Sequence, residues 1–343
     1  MSTRRLALLP ARRETGYMPE ERPPELEIIF DELARRGPYA SLDDANRALE
    51  TITRQYNARP QAELGGLSPD QLQRLLTDDW TAPDAALSLD ESLTLDELAG
   101  APLLADARMM LDYVATHGPL KETPAHNLSR SAVADLTPRL RVLAQRRHLE
   151  QEAEPPMRRA LNEGDVYWLA PLRHALIFAG LLMRRKGVRI TARGRELLDV
   201  ALAGTLYARL FRTVFCELDL RLFDFQREAG LQPTVAYTLY RLGTCAREWA
   251  SSESLAATAW LDTAKGPRRQ WEVESGVDLR HYSLASQVLY PLAAFGLLET
   301  RTLPGPESER WMEVTEYRVT QLYDRFLRFN LGGNGRTPTF PHL

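Results

Sequence analysis

The residues of this chain whose type and spacing could do chemistry are basic and crowded together. Between Pro171 and Leu198 lie Arg173, Arg184, Arg185, Lys186, Arg189, Arg193 and Arg195, opposed by the single acid Glu196. Cationic groups at that density neutralise phosphates, and a turn reading Arg-Arg-Lys-Gly can lie along a nucleic-acid backbone or enter a minor groove without reading sequence. Arg173, Arg184, Arg185, Lys186, Arg189 and Arg193 are therefore the candidate nucleic-acid-binding residues. If they act together, Arg184, Arg185, Lys186 and Arg189 should share one exposed face. Composition weighs against reading too much into arginine itself. Only 3 of the 43 basic residues are lysine (Lys121, Lys186 and Lys265), a skew that a GC-rich genome also produces. The net charge of -3 does not make the whole chain a polyanion binder.

Other chemistries find little support. The six histidines (His117, His126, His148, His174, His281 and His342) have no partner at zinc-ligand spacing. His174, on an apolar segment, reads as a satisfied core histidine. No serine elbow, phosphate loop or dinucleotide fingerprint is present. The adjacent acids Asp43-Asp44 and Asp78-Asp79 fit a helix first turn and a loop. Cys216 and Cys245 sit in apolar helical contexts and read as buried free thiols. The expectation is a non-enzyme with no catalytic residue, metal or cofactor.

The basic cluster has to be positioned by local structure, and that structure is foreshadowed by a repeat. Ala179-Gly-Leu-Leu-Met-Arg-Arg-Lys-Gly-Val-Arg-Ile-Thr is echoed by Phe295-Gly-Leu-Leu-Glu-Thr-Arg, a polar insert, and Tyr317-Arg-Val-Thr. In each, an apolar segment stops at Gly, Leu-Leu opens a short strand, and a β-branched residue and Thr lead into an amphipathic run. This predicts helix, strand, turn, strand, helix twice, with Thr191 and Thr320 at helix N-termini. The second hairpin should be 13 residues longer. The apolar faces place Leu176, Phe178, Leu181, Leu197, Leu289, Phe295, Leu297 and Phe326 in the core.

The rest of the chain divides by composition. Residues 1–23 read as a flexible N-terminus and 24–80 as a helical N-terminal unit with starts at Ser41-Leu-Asp-Asp and Ser68-Pro-Asp-Gln. Residues 81–100, acidic and without a base, read as a linker. Residues 101–200 form a first module, 201–330 a helical segment and a second module, and 331–343 a flexible tail. The longest apolar runs are far short of a membrane span, and the N-terminal apolar run is too short for a secretion signal. A cytoplasmic protein with no membrane partner is expected.

At the level of fold, about 101–200 and 230–328 resemble winged-helix modules, and the whole resembles uncharacterised bacterial proteins. The expected fold class is mainly α with small β-hairpin wings, tandem winged-helix-like modules following an N-terminal helical unit. The resemblance implies nucleic-acid binding or protein docking. The chain departs from the DNA-reading pattern in the helix before each wing. Trp168 to Gly180 offers only Arg173 and His174 as polar residues, too few to reach base edges. From Glu299 to Arg325 the second wing carries six acids and four arginines. The reading is a regulatory or adaptor protein whose first wing contacts duplex nucleic acid without sequence preference. The alternatives are a scaffold that binds only another protein, and an enzyme of unrecognised type.

Overall fold

The computed structural model describes residues 24–142, 161–166, 168–223, 231–261, 280–304 and 313–332. The expectations for 1–23 and for 333–343 of the tail lie outside them. Two compact units result: Met1–Ala62 with Gly66–Asp70, and Glu63–Gly65 with Gln71–Leu343.

The smaller unit is built on α1 (Pro24–Arg36) and α2 (Leu42–Asn57). Ser41 caps α2, its hydroxyl accepting the Asp44 N–H at 3.2 Å, as the sequence signature requires. Most of α3 (Pro69–Thr77) belongs to the larger unit instead of the N-terminal one. There Leu75 is buried, and Gln71 and Arg74 donate to the carbonyls of Leu331 and Asn330.

The larger unit is mainly helical with three small antiparallel sheets among the described residues. Its first half contains α4 (Pro102–His117), α5 (Arg130–Leu136), α6 (Leu169–Phe178), the hairpin β2 (Leu182–Arg184) and β3 (Val188–Ile190), and α7 (Ala192–Glu196). Leu120, just after α4, bridges Val188 in β3. Then come α8 (Ala203–Arg212) and a π-turn, Thr213–Glu217. The second half repeats the order with α9 (Val235–Cys245), β4 (Ala250–Ser251), α10 (Ser252–Thr258) and α11 (Arg280–Leu284). A second π-turn, Ala285–Leu289, leads to α12 (Tyr290–Ala294), the hairpin β5 (Leu298–Pro304) and β6 (Glu313–Val319), and α13 (Gln321–Phe326). β4 pairs with β6, and Leu120 makes a single bridge to β3, so in both halves the segment before the second helix joins the hairpin's outgoing strand.

The two halves also agree bond for bond where helix meets hairpin. Gly180 and Gly296 both have φ +73°, the left-handed conformation that closes a helix C-terminus and favours glycine. Leu181 N–H donates to Leu176 O and Leu297 N–H to Leu292 O, each at 2.9 Å. In the first hairpin Leu182 pairs with Ile190, eight residues on, and in the second Leu298 pairs with Val319, twenty-one on, the length difference expected.

Residues 81–100 are not an open linker. Ala85, Ala86, Leu87, Leu93 and Leu98 are buried, and β1 (Leu87–Leu89) pairs antiparallel with β7 (Leu327–Phe329). The acids that looked solvated find bases far along the chain: Asp90 with Arg328, Glu91 with Arg212 at 2.8 Å, and Glu97 with Arg325 at 2.6 Å. This strap crosses α8 closely enough that a Cβ on Gly204 would stand 2.3 Å from Glu91 O and 2.6 Å from Leu93 O. Backbone atoms cannot swing aside as a side chain can. Gly204→Ala should therefore cost about 1–3 kcal/mol, seen as a lower denaturant midpoint, whereas a purely solvated linker would give no change.

The core gathers on α8. Tyr207, Phe211 and Phe215 recur every four residues and so share a face. They meet Phe295 and Phe326 with ring centroids 4.6–5.4 Å apart for the pairs Tyr207–Phe326 and Tyr207–Phe295. The Tyr207 hydroxyl donates to Phe295 O at 2.6 Å, so burial leaves no orphaned phenol. Seven of the eight expected core residues are at most 1% exposed, but Phe178 is 56% exposed. The reason is angular. Leu169, Leu172, Arg173 and Leu176 make the buried stripe of α6, and Phe178 lies two residues past Leu176, about 200° round the helix. The thiols also depart from expectation, with Cys216 exposed and Cys245 half-buried.

Candidate nucleic-acid interface

The base of the first hairpin is fixed by Thr191. Its hydroxyl donates to Gly180 O at 2.7 Å and accepts the Gly194 N–H at 2.9 Å, so one side chain ties the end of α6 to the start of α7. Thr320 occupies the equivalent N-terminal position and donates to Gly296 O at 2.9 Å, but it makes no side-chain cap bond. At the tip, Lys186 and Gly187 have φ +53° and +101°, and Arg185 N–H donates to Gly187 O at 2.8 Å. A Cβ at Gly187 would come 2.6 Å from Leu120 O, so the close turn needs glycine.

The six candidate residues do not act alike. Arg173 is 1% exposed and cannot touch a ligand at the surface. Its guanidinium grips Glu163, itself 1% exposed, at 2.6 and 3.0 Å, and also reaches Glu122 at 3.5 Å and His126 O at 3.3 Å. Glu163 completes its coordination by accepting the Leu128 N–H at 2.7 Å. The buried pair thus pins α6 to the 122–128 segment. Arg184 is partly committed to the same node, with Glu122 at 3.0 Å and His126 O at 3.2 Å. Arg193 pairs with Glu196 at 2.8 Å on the surface of α7. His174 is half-buried, and burial, reinforced by the Arg173 charge, pushes its imidazole below the usual range, favouring the neutral form.

The single shared face is also corrected by the pairing. Residues directly opposite in an antiparallel ladder project to the same side. Arg184 opposes Val188 and Met183 opposes Arg189, so Arg184 and Arg189 project from opposite faces. Of the six candidates, those exposed with no ion pair among the described residues form the tip: Arg185, Lys186 and Arg189. Arg189 uses one nitrogen on Arg185 O at 2.9 Å, which stiffens the turn.

On the described strands of the second hairpin the arginines are paired. Glu299 stands opposite Arg318 and Arg301 opposite Glu316 on one face. The pairs close at 2.7 and 2.6 Å, and both guanidinium carbons lie 4.6 Å from the Trp249 ring centroid. Glu307, Glu309 and Arg310 fall outside the described residues. Sequence reasoning missed Glu122, Glu163 and Trp249, whose partners lie 10 to 69 residues away. It had the means to place Arg173, which falls on the apolar stripe of α6 with Leu169, Leu172 and Leu176.

Fold and site together define a mainly helical protein with two helix–hairpin–helix copies, one of which ends in a basic tip. Residues 99–203 match the family model described as the Y4jL N-terminal domain. That stretch is under a third of the chain; it runs from just before α4 to the first residue of α8 and contains all six candidate residues. Neither the curated proteins nor the solved structures yielded a match.

Proposed function

We propose that this is a non-enzymatic regulatory or adaptor protein built on tandem winged helices, whose first wing holds the phosphate backbone of duplex nucleic acid without reading its sequence. The repeated order of helix, strand, helix, helix and hairpin supports the winged-helix assignment. The observation that carries the functional reading is the contrast between the two copies. Every described arginine on the strands of the second hairpin is neutralised by a glutamate across the ladder, while Arg185, Lys186 and Arg189 of the first are exposed and unpaired among the described residues. Sequence independence follows from α6, whose one polar residue not buried is His174.

Labelled duplexes of unrelated sequence, titrated at low and moderate salt, test this. Their affinities should agree within a few-fold and fall together as salt rises. A second reading, docking of another protein, is favoured by Phe178 and Met183, which are 56% and 43% exposed in the first copy. Absence of duplex binding at low salt would leave that reading standing.

A further inference from the structure

The two hairpins start in the same register, so their residues correspond place by place. Leu182 pairs with Ile190 as Leu298 pairs with Val319, which makes Met183 the counterpart of Glu299 and Arg189 the counterpart of Arg318. The segments that join the outgoing strands correspond too. Leu120 faces Val188 as Ala250 faces Tyr317, so the preceding residues, Pro119 and Trp249, fall beside Arg189 and Arg318.

In the second copy this place is filled from within the chain. The Glu299 carboxylate holds Arg318 at 2.7 Å, and the half-buried Trp249 ring lies against the same guanidinium, 4.6 Å from its carbon to the ring centroid. The first copy keeps the arginine and lacks both of its partners. Met183, 43% exposed, stands at the place of the carboxylate, and exposed Pro119 stands at the place of the indole. Arg189 spends Nε on Arg185 O, and its terminal nitrogens are open among the described residues. Exposed Arg185 and Lys186 add positive charge at the same end of the hairpin.

We propose that this outer face of the first hairpin docks a protein segment carrying carboxylates beside an aromatic side chain, so that the first copy takes from a partner what the second supplies itself. A carboxylate pairs with Arg189, and the ring lies against the guanidinium and Met183, whose thioether is a good aromatic contact. The inference goes beyond the duplex reading, and the two ligands share Arg189. Calorimetric titration of the full chain with acetyl-Glu-Glu-Trp-Glu-Glu-amide tests it, beside one control peptide with Ala for Trp and another with Gln for every Glu. The parent peptide should bind about tenfold more tightly than either control. Met183→Glu gives Arg189 the carboxylate that Arg318 has, and should weaken the parent peptide by about tenfold, whereas Met183→Leu should change little. Met183 is exposed, so neither variant disturbs the core. Equal binding of the parent and Ala peptides would reduce the contact to charge alone and overturn the proposal. So would an unaffected Met183→Glu variant, or duplex binding with no peptide binding at millimolar concentration. No nucleic acid is present in the peptide titration, so its failure is distinct from a failure of duplex binding.

Discussion

Replacing Arg173 by Met should lower the stability of the larger unit by about 3–5 kcal/mol, the scale expected when one partner of a buried ion pair is removed. Met preserves the length of the side chain and its packing on the α6 stripe, so the loss reports the charge. Glu163 would be left buried with only the Leu128 N–H, and His126 O would lose one of its two arginine donors. A second substitution, Glu163→Gln, keeps an acceptor for Leu128 and removes the stranded charge. The double variant should recover a large part of the deficit. Urea melts of the single and double variants measure both effects. A loss under about 1 kcal/mol in the single variant would show that Arg173 is not the keystone of this node.

The second large effect is on binding. Arg185→Glu with Lys186→Glu and Arg189→Glu should abolish duplex binding while leaving the melting transition within a degree or two, because all three side chains are exposed and none has an ion pair to lose among the described residues. Arg184 is left out of the set because its change would open the contact with Glu122. The matched control is Arg301→Ala with Arg318→Ala in the second hairpin. Those arginines are already neutralised across the strands and stacked on Trp249, so their loss should leave duplex binding unchanged. Equal damage from the two sets would mean that the contact is diffuse electrostatics and that the tip has no special role.

The hairpins were legible because their signals are local. Gly180 and Gly296 both take φ +73°, a conformation that favours glycine, and Thr191 and Thr320 each follow a β-branched residue at a strand end, so spacing alone located both turns. The strap at 81–100 was illegible for the opposite reason. Its acids have no base within their own segment, and Arg212, Arg325 and Arg328 lie more than 100 residues away, where no window of sequence reveals them. The candidate site was half legible. Counting bases found the tip, but charge counting cannot tell a solvated arginine from one inside the core. Arg173 illustrates this: the helical period places it with Leu172 and Leu176, and its partner Glu163 comes from a short turn ten residues upstream with no patterned signal of its own. Phe178 shows the same period acting in reverse, an apolar residue carried to the surface by its angle.

Whether Arg185, Lys186 and Arg189, unpaired among the described residues, grip phosphates is tested most directly by the salt dependence of duplex binding. If Arg185, Lys186 and Arg189 each displace one counterion, the logarithm of the association constant should fall against the logarithm of salt concentration with a slope of roughly -2.7. That slope should be the same for duplexes of unrelated sequence. Binding that is insensitive to salt, or a slope unchanged by the triple glutamate variant, would contradict the account.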